Sequence, residues 1–211
     1  MTQFSSEKYN VAWFKLAEFV VRKEKERALY MYRLLAHSFP DEAFSAQLEG
    51  DLLQAFHDTK SVECYMRAAD TYQKKDRFIE AIGVLEHVMT LNSTADCCLK
   101  LLDLYNSINN YHNFLQKIVY FFDTFSDYGD LQKLHDFLLS TAYTFSLEEQ
   151  HLLFERGVER LLSYHLTDYN MVQKYLGRAI QCATPDQKRS FIEKLSRLDS
   201  QAYAYAVSCN E

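Results

Sequence analysis

Two stretches of the sequence carry the same spacing of apolar and aromatic residues, and the second lies 33 positions after the first. The three- and four-residue intervals are typical of one buried face of a helix. A short helical pair cannot bury such a face alone, so repeated pairs stack and share a core. The first stretch has Tyr65, Ala68, Ala69, Tyr72, Phe78, Ala81, Leu85, Val88 and Ser93, and the second has Cys98, Leu101, Leu102, Tyr105, Tyr111, Phe114, Ile118, Phe121 and Ser126.

Glycine and proline are scarce, with 5 glycines and 2 prolines in 211 residues, whereas an ordinary globular chain carries roughly four times as many. Tight hairpins and sandwiches need these residues in their turns, so the shortage disfavours folds built from short strands. The periodicity predicts an all-α fold with no β-sheet. It has about eleven helices, at 8–22, 25–38, 41–57, 60–75, 77–91, 95–108, 111–125, 129–143, 146–165, 168–182 and 185–207.

Two helix starts carry an explicit capping signal. Ser146 with Glu149 forms a capping-box pattern, and so does Thr184 with Gln187, where Pro185 takes the first helical position. The predicted connections are short, which makes successive helices antiparallel.

No linker or composition change divides the chain. We therefore expect a single domain over 9–211, preceded by a frayed segment at 1–8. Residues 185–211 are expected to form a capping helix over the last apolar face, and a break near Ser200 is left open.

A third copy of the pattern reads Trp13-x₂-Leu16-Ala17-x₂-Val20, followed by Ala28-x₃-Tyr32-x₂-Leu35-x₄-Pro40. These motifs resemble the tetratricopeptide repeat, whose pattern is W-x₂-L-G-x₂-Y…A-x₃-F…P over about 34 residues. The resemblance covers 9–145 and is closest at 9–40 and 62–126. It implies a right-handed α-solenoid of antiparallel hairpins, in which the first helix of each hairpin lines a concave groove.

The repeat phase is ambiguous near 58–62. Helix 41–57 has the signature of a first helix, with Gly50 and Leu53 at its small and large positions. If the repeats are counted from helix 41–57, helix 60–75 is the second helix of its hairpin. If they are counted from the repeat at 65–93, helix 60–75 is a first helix. Either the array shifts phase or it contains an odd helix.

The net charge, the length of the apolar runs and the cysteines indicate which partners and which compartment to expect. The net charge of −6 disfavours nucleic acid and anionic membranes as main partners, and no apolar run is long enough to span a bilayer. The start lacks a signal-peptide pattern, and the 5 cysteines are odd in number without CxxC spacing. Reduced thiols and a cytoplasmic protein without membrane insertion are the expectation.

No motif for catalysis or for a cofactor is present. Phosphate-binding glycine loops, HExxH and GxSxG are absent, and the histidines and cysteines show no zinc-ligand spacing. We therefore expect no cofactor, no metal and no enzymatic activity.

An acidic residue follows the small position in each recognised first helix, and the small positions at Ala17, Gly50 and Ala69 are expected to be close helix contacts. The resemblance implies that these acids line the groove, together with the residues one turn earlier. Asp70 and Met66 join this set only if helix 60–75 is a first helix. This acidic column comprises Glu18, Asp51, Asp70, Asp103 and Asp136, with Phe14, Gln47, Met66 and Leu99 beside it.

The hypothesis is a non-enzymatic scaffold or adaptor that holds a partner peptide or helix with a basic segment in an acidic, partly apolar groove. A solvated acidic face without a ligand is an open alternative. So is a structural subunit that uses its convex surface or its tyrosine-rich end at Tyr203 and Tyr205. The third alternative is a small-molecule enzyme whose site is assembled between helices.

Overall fold

The computed structural model describes residues 3–37, 39–125, 127–163 and 169–209, with 3–10 and 128 described by their backbone alone. These residues contain twelve α-helices, one 3₁₀ turn and no strand, which confirms the all-α class. In the described ranges no helix is both long and apolar enough to cross a membrane. The helices are α1 (Gln3–Val21), α2 (Lys25–Ala36), α3 (Glu42–Ala55), α4 (Ser61–Lys74), α5 (Phe78–Leu91), α6 (Ala95–Ser107), α7 (Tyr111–Thr124), α8 (Tyr128–Thr141), α9 (Leu147–Ser163), α10 (Tyr169–Cys182), α11 (Pro185–Leu198) and α12 (Ser200–Ser208), with the 3₁₀ turn at Ala142–Thr144.

The chain divides between Cys97 and Cys98 into two compact units. In the first unit α1 packs on α2, α2 on α3, α3 on α4 and α4 on α5. In the second unit α7, α10 and α11 all pack on α9, and α12 packs on α10 and α11. The core of the first three helices joins Leu16, Ala28, Tyr32, Leu35 and Leu52.

Four helices of the described chain end in the same turn. The second residue after α1, α3, α4 and α6 has a left-handed φ of 54–59°, and these residues are Lys23, His57, Asp76 and Asn109. The N–H of the residue that follows each of them donates to the carbonyl five residues back, at 2.9–3.0 Å. This arrangement usually places glycine at the left-handed position. Its use of other residues here accounts for part of the glycine shortage.

The shared turn stands at both ends of α4. Both α3 and α4 end in it, so α3–α4 and α4–α5 are both tight antiparallel hairpins. Tyr65 of α4 contacts Gln54 of α3 and His87 of α5, which places α4 between its two neighbours. Helix α4 thus packs against both of its neighbours in the chain, as a helix in either repeat phase would, and the phase near 58–62 stays a prediction.

Both ends of the described chain are helical. Helix α1 begins at Gln3, so that 3–8, expected to be frayed, are helical, and 1–2 lie outside the described residues. The expected capping segment consists of two helices, α11 and α12, so the break that the sequence left open near Ser200 is present. They are separated at Asp199, which has extended backbone and whose carboxylate accepts the Ala202 N–H at 2.7 Å.

Both predicted capping boxes are confirmed. The Glu149 carboxylate accepts the Ser146 N–H at 2.9 Å, and the Glu149 N–H donates back to Ser146 Oγ at 3.3 Å. Thr184 and Gln187 make the same reciprocal pair at the start of α11.

Candidate interaction surface

The predicted acidic column is divided between the two units. Its second-unit members are Leu99, Asp103 and Asp136, and the other six lie in the first unit. Exposure also differs within the column, because Phe14, Glu18, Asp51 and Asp136 are exposed whereas Gln47, Met66, Asp70, Leu99 and Asp103 are half-buried.

Two members of the column, Gln47 and Asp51, lie on the seam between α3 and α4. The Tyr72 hydroxyl donates to Gln47 Oε1 at 3.0 Å, and the Tyr65 hydroxyl donates to Asp51 Oδ1 at 2.7 Å. Both tyrosines are buried side chains of α4. Gln47 and Asp51 therefore help to hold α4 against α3.

The Tyr65 hydroxyl also connects Asp51 with His87 on α5. Its oxygen lies 2.7 Å from the Gln54 side-chain amide, which lies 2.8 Å from His87 Nε2. Burial first, and then the hydrogen bond to Asp51, raise the pKa of Tyr65, so the phenol keeps its hydrogen at neutral pH. A phenol donates one hydrogen, and a carboxylate is the stronger acceptor. Gln54 Oε1 lies next to both the Tyr65 hydroxyl and His87 Nε2, so this amide links α3 with α5 through Tyr65 of α4.

Asp70 points away from this seam. At about 100° per residue, its side chain is rotated about 140° from Tyr65 and about 160° from Tyr72, the two residues of α4 that meet Asp51 and Gln47. Met66 is rotated about 100° from Tyr65 and is half-buried. Asp70 therefore lies on a different side of α4 from the two tyrosines that bond α3.

The side of α1 that faces away from the core is apolar and exposed. Leu16 points into the core and is 6% exposed, whereas Phe14 is 76%, Val21 81% and Val11 53% exposed. These three residues are each rotated about 140–160° from Leu16. Glu18 lies among them and Ala17 lies at their edge, about 100° from Leu16, and both are exposed. We call Val11, Phe14, Ala17, Glu18 and Val21 the outer face of α1.

The exposure of Ala17 differs from the close helix contact expected at this position. Leu16, Trp13 and Phe19 fill the space towards α2 and α3 instead. The expectation holds for Gly50 and Ala69, both of which are buried between helices.

Glu18 is the acid on this outer face. It forms an ion pair with Arg22 one turn later, at 2.6 Å, and its side chain remains 48% exposed. Lys15 is exposed on the same edge of the helix, and no ion-pair partner for it is found among the described residues.

In the second unit, Asp136 accepts a hydrogen bond from Gln132 Nε2 at 2.9 Å on the same helix. Its neighbour His135 is buried, with its ring 5.3 Å from the Tyr175 ring. Burial, and then the Asp136 charge, raise the pKa of Tyr175. This part of the column therefore lies beside a buried aromatic pair.

Other polar features of the first unit are shallow. A cleft of about 720 Å³ at the α3–α4 turn is lined by Gln54, Asp58, Glu63 and Leu91 among others.

Burial, and then the nearby Glu49 charge, raise the pKa of the Cys64 thiol to about 11, so it stays protonated at neutral pH. In the described ranges no cluster of three or more His, Cys, Asp and Glu side chains is arranged to hold a metal ion.

Comparison with known proteins identifies no relative: no protein-family model matches the sequence, and no curated protein is significantly similar to it. The predicted column contains Phe14 and Glu18 of the outer face of α1 but not Val11 and Val21. Their signal was available, because α1 carries apolar residues on all its sides, and such a helix is either buried or partnered.

Proposed function

We propose that the protein is a non-enzymatic interaction module of tetratricopeptide type, which acts as an adaptor or scaffold. It binds an amphipathic helix of another polypeptide through the outer face of α1. The observation that carries the proposal is the exposure of Phe14 and Val21 on a helix whose other side already fills the core. Exposed apolar patches of this kind are typical of interaction surfaces.

The residues of the outer face of α1 contribute unequally to the free energy of binding. Full burial of a Phe or Val side chain contributes about 1.5–3 kcal/mol, whereas an exposed ion pair contributes about 0–1 kcal/mol. Phe14 and Val21 thus supply affinity, and Glu18 supplies orientation towards a basic residue of the partner. Because Gln47 and Asp51 already bond α4, they contribute less to this surface.

Two expectations accompany the proposal. A right-handed superhelical course stays a prediction from the repeat resemblance. A reducing, cytoplasmic setting is supported by the five cysteines, all of which are free thiols.

Amphipathic helical peptides selected from a displayed library test the proposal. Their affinity for the wild-type protein and for a Phe14→Asp/Val21→Asp variant is measured by fluorescence polarisation. We expect the variant to bind at least about tenfold more weakly, because one anchor is worth more than 1.4 kcal/mol.

The matched control is Tyr143→Asp/Leu147→Asp in the second unit, where the two side chains are 78% and 65% exposed. This control should bind like the wild type. Peptides that bind the α1 variant as tightly as the wild type would refute the proposal, and so would the absence of any peptide that binds.

A further inference from the structure

We propose that a cleft in the second unit, between α11 and α12, binds an acidic segment of another polypeptide that carries an apolar side chain close to its carboxylate. This inference goes beyond the proposed function, because it concerns a different surface with the opposite charge. It is carried by the combination of two cationic side chains and an apolar lining in one cleft. We call it the α11–α12 cleft, and its lining consists of Pro185, Lys188, Arg189, Ile192 and Val207.

The α11–α12 cleft lies along one side of α11. Its four residues from α11 are spaced three, four and seven positions apart, which places them on one face of the helix. Pro185 begins α11 whereas Val207 lies near the end of α12, so the two helices run antiparallel beside the cleft. The cleft has a volume of about 470 Å³, within the range of roughly 300–1,000 Å³ that ligand pockets occupy. This is room for a short peptide segment.

The cations of the α11–α12 cleft differ from the other cations of α11. Lys194 pairs with two glutamates of α9, and Arg197 lies 2.7 Å from the Glu193 carboxylate. Lys188 and Arg189 form no ion pair with any residue that the structure describes, and the cleft lining there includes no acidic side chain. The two positive charges of the cleft therefore attract a carboxylate from outside the described chain.

The position of these cations in the helix adds to their attraction for an anion. Lys188 and Arg189 are the fourth and fifth residues of α11, close to the end of the helix that carries a partial positive charge. The backbone itself offers little, because Pro185 has no N–H and the Gln187 N–H already donates to Thr184 Oγ1. The two side chains are thus the main anion-binding groups.

The apolar lining decides which anionic partner fits. Pro185, Ile192 and Val207 line the same cleft, and the side chains of Ile192 and Val207 are only half-buried. A small inorganic anion would leave them uncovered, whereas a peptide covers them with an apolar side chain. Two cations on a chain of net charge −6 are also few for a membrane surface, because lipid recognition typically uses clusters of about four to eight.

A displayed library of nine-residue peptides tests the inference, with two acidic and two apolar residues at varied spacing in every member. Peptides enriched on the full chain are labelled, and their affinity is measured by fluorescence polarisation. We expect Lys188→Glu/Arg189→Glu to bind them at least about tenfold more weakly than the wild type. The matched control is Lys174→Glu/Arg178→Glu, which makes the same change in net charge at two exposed positions of α10 outside the cleft lining, and it should bind like the wild type.

Changes in the peptide test the two halves of the recognition without altering the protein. Replacing the acidic residues of an enriched peptide with glutamine should weaken binding at least about tenfold, and replacing its apolar residues with serine should weaken binding to a similar extent. Binding should also weaken as the salt concentration rises, because salt screens the exposed cations. Circular dichroism confirms that every protein variant is folded.

Four results would overturn the inference. These are a library without any enriched peptide, peptides that bind Lys188→Glu/Arg189→Glu as tightly as the wild type, displacement of the peptides by an equal concentration of inorganic phosphate, and binding to phosphatidylserine vesicles that the cleft variant abolishes. The third result would indicate a simple anion site and the fourth a membrane contact. Phe14→Asp/Val21→Asp should bind the acidic peptides like the wild type, so the two surfaces are tested separately.

Discussion

The ring of Tyr65 lies against the backbone of Gly50, where an added β-carbon would come within 2.7 Å of Tyr65 Cε1. Gly157 and Tyr175 repeat the same relationship between α9 and α10, at 2.7 Å from Tyr175 Cδ2. In each unit, a buried tyrosine ring of one helix occupies the space beside a glycine of the neighbouring helix. A side chain at the glycine position would collide with this ring.

Replacing Gly50 with Ala is therefore expected to destabilise the protein by about 1–3 kcal/mol, since the new methyl group displaces a buried ring that is held by two hydrogen bonds. Urea unfolding followed by circular dichroism measures the change. Gly83 is the matched control, because no atom lies within 4 Å of the β-carbon it would gain. Gly83→Ala should stabilise α5 by about 0.5–1 kcal/mol, and equal effects at the two positions would contradict this account.

His57 occupies a left-handed position at the end of α3, with a φ of 55°. Residues with a side chain pay a conformational cost there that glycine avoids, so His57→Gly should raise the free energy of unfolding by about 0.5–1 kcal/mol. The comparison variant is Lys74→Gly in the right-handed last turn of α4, which should lower stability. A His57→Gly variant less stable than the wild type would show that the side chain has a role beyond the turn.

The Asp41 carboxylate joins the start of α3 to the α4–α5 turn. Its hydrogen bond to Arg77 is the main cause that lowers the pKa of Asp41, and Lys75 and the Ala43 N–H add to it. Because the folded pKa lies below the unfolded value of about 3.9, the stabilisation is present above that pH and is lost as the pH falls through the folded pKa.

Asp41→Asn keeps a side-chain oxygen for the cap but removes the charge. The variant should be less stable than the wild type at pH 7 by up to about 1 kcal/mol, as for an exposed ion pair. Thermal unfolding at a series of pH values should show this difference shrink as the pH falls below about 4, because the carboxylate of the folded wild type then becomes protonated. A difference that persists at low pH would mean that capping, rather than charge, is the contribution of Asp41.

Phe14 and Leu16 are two residues apart on α1 but differ in what they contact. Phe14→Ser should change stability by less than about 0.5 kcal/mol, because the side chain is exposed, whereas Leu16→Ala should cost about 2–4 kcal/mol through the cavity it leaves. Chemical denaturation of the two variants at low protein concentration separates the roles. Destabilisation by Phe14→Ser as large as that by Leu16→Ala would place Phe14 in the core.

Local signals in the sequence predicted local features correctly. The capping boxes at Ser146 and Thr184 form as expected, because a cap depends on residues only three positions apart. The break at Asp199 was harder to place, since its carboxylate caps α12 while it also accepts a bond at 2.7 Å from Tyr169 on α10. That second contact is not visible in a local pattern.

By itself, the sequence determined the all-α class, the approximate position of each helix and the close contact at Gly50. These follow from hydrophobic periodicity and side-chain size, which are properties of each segment. Only the tertiary structure decided that α4 packs against both α3 and α5 and that Leu16 rather than Ala17 meets the core. Which side of a helix is buried depends on the other helices that pack against it. When a helix carries apolar residues on several sides, its own sequence does not determine which side that is.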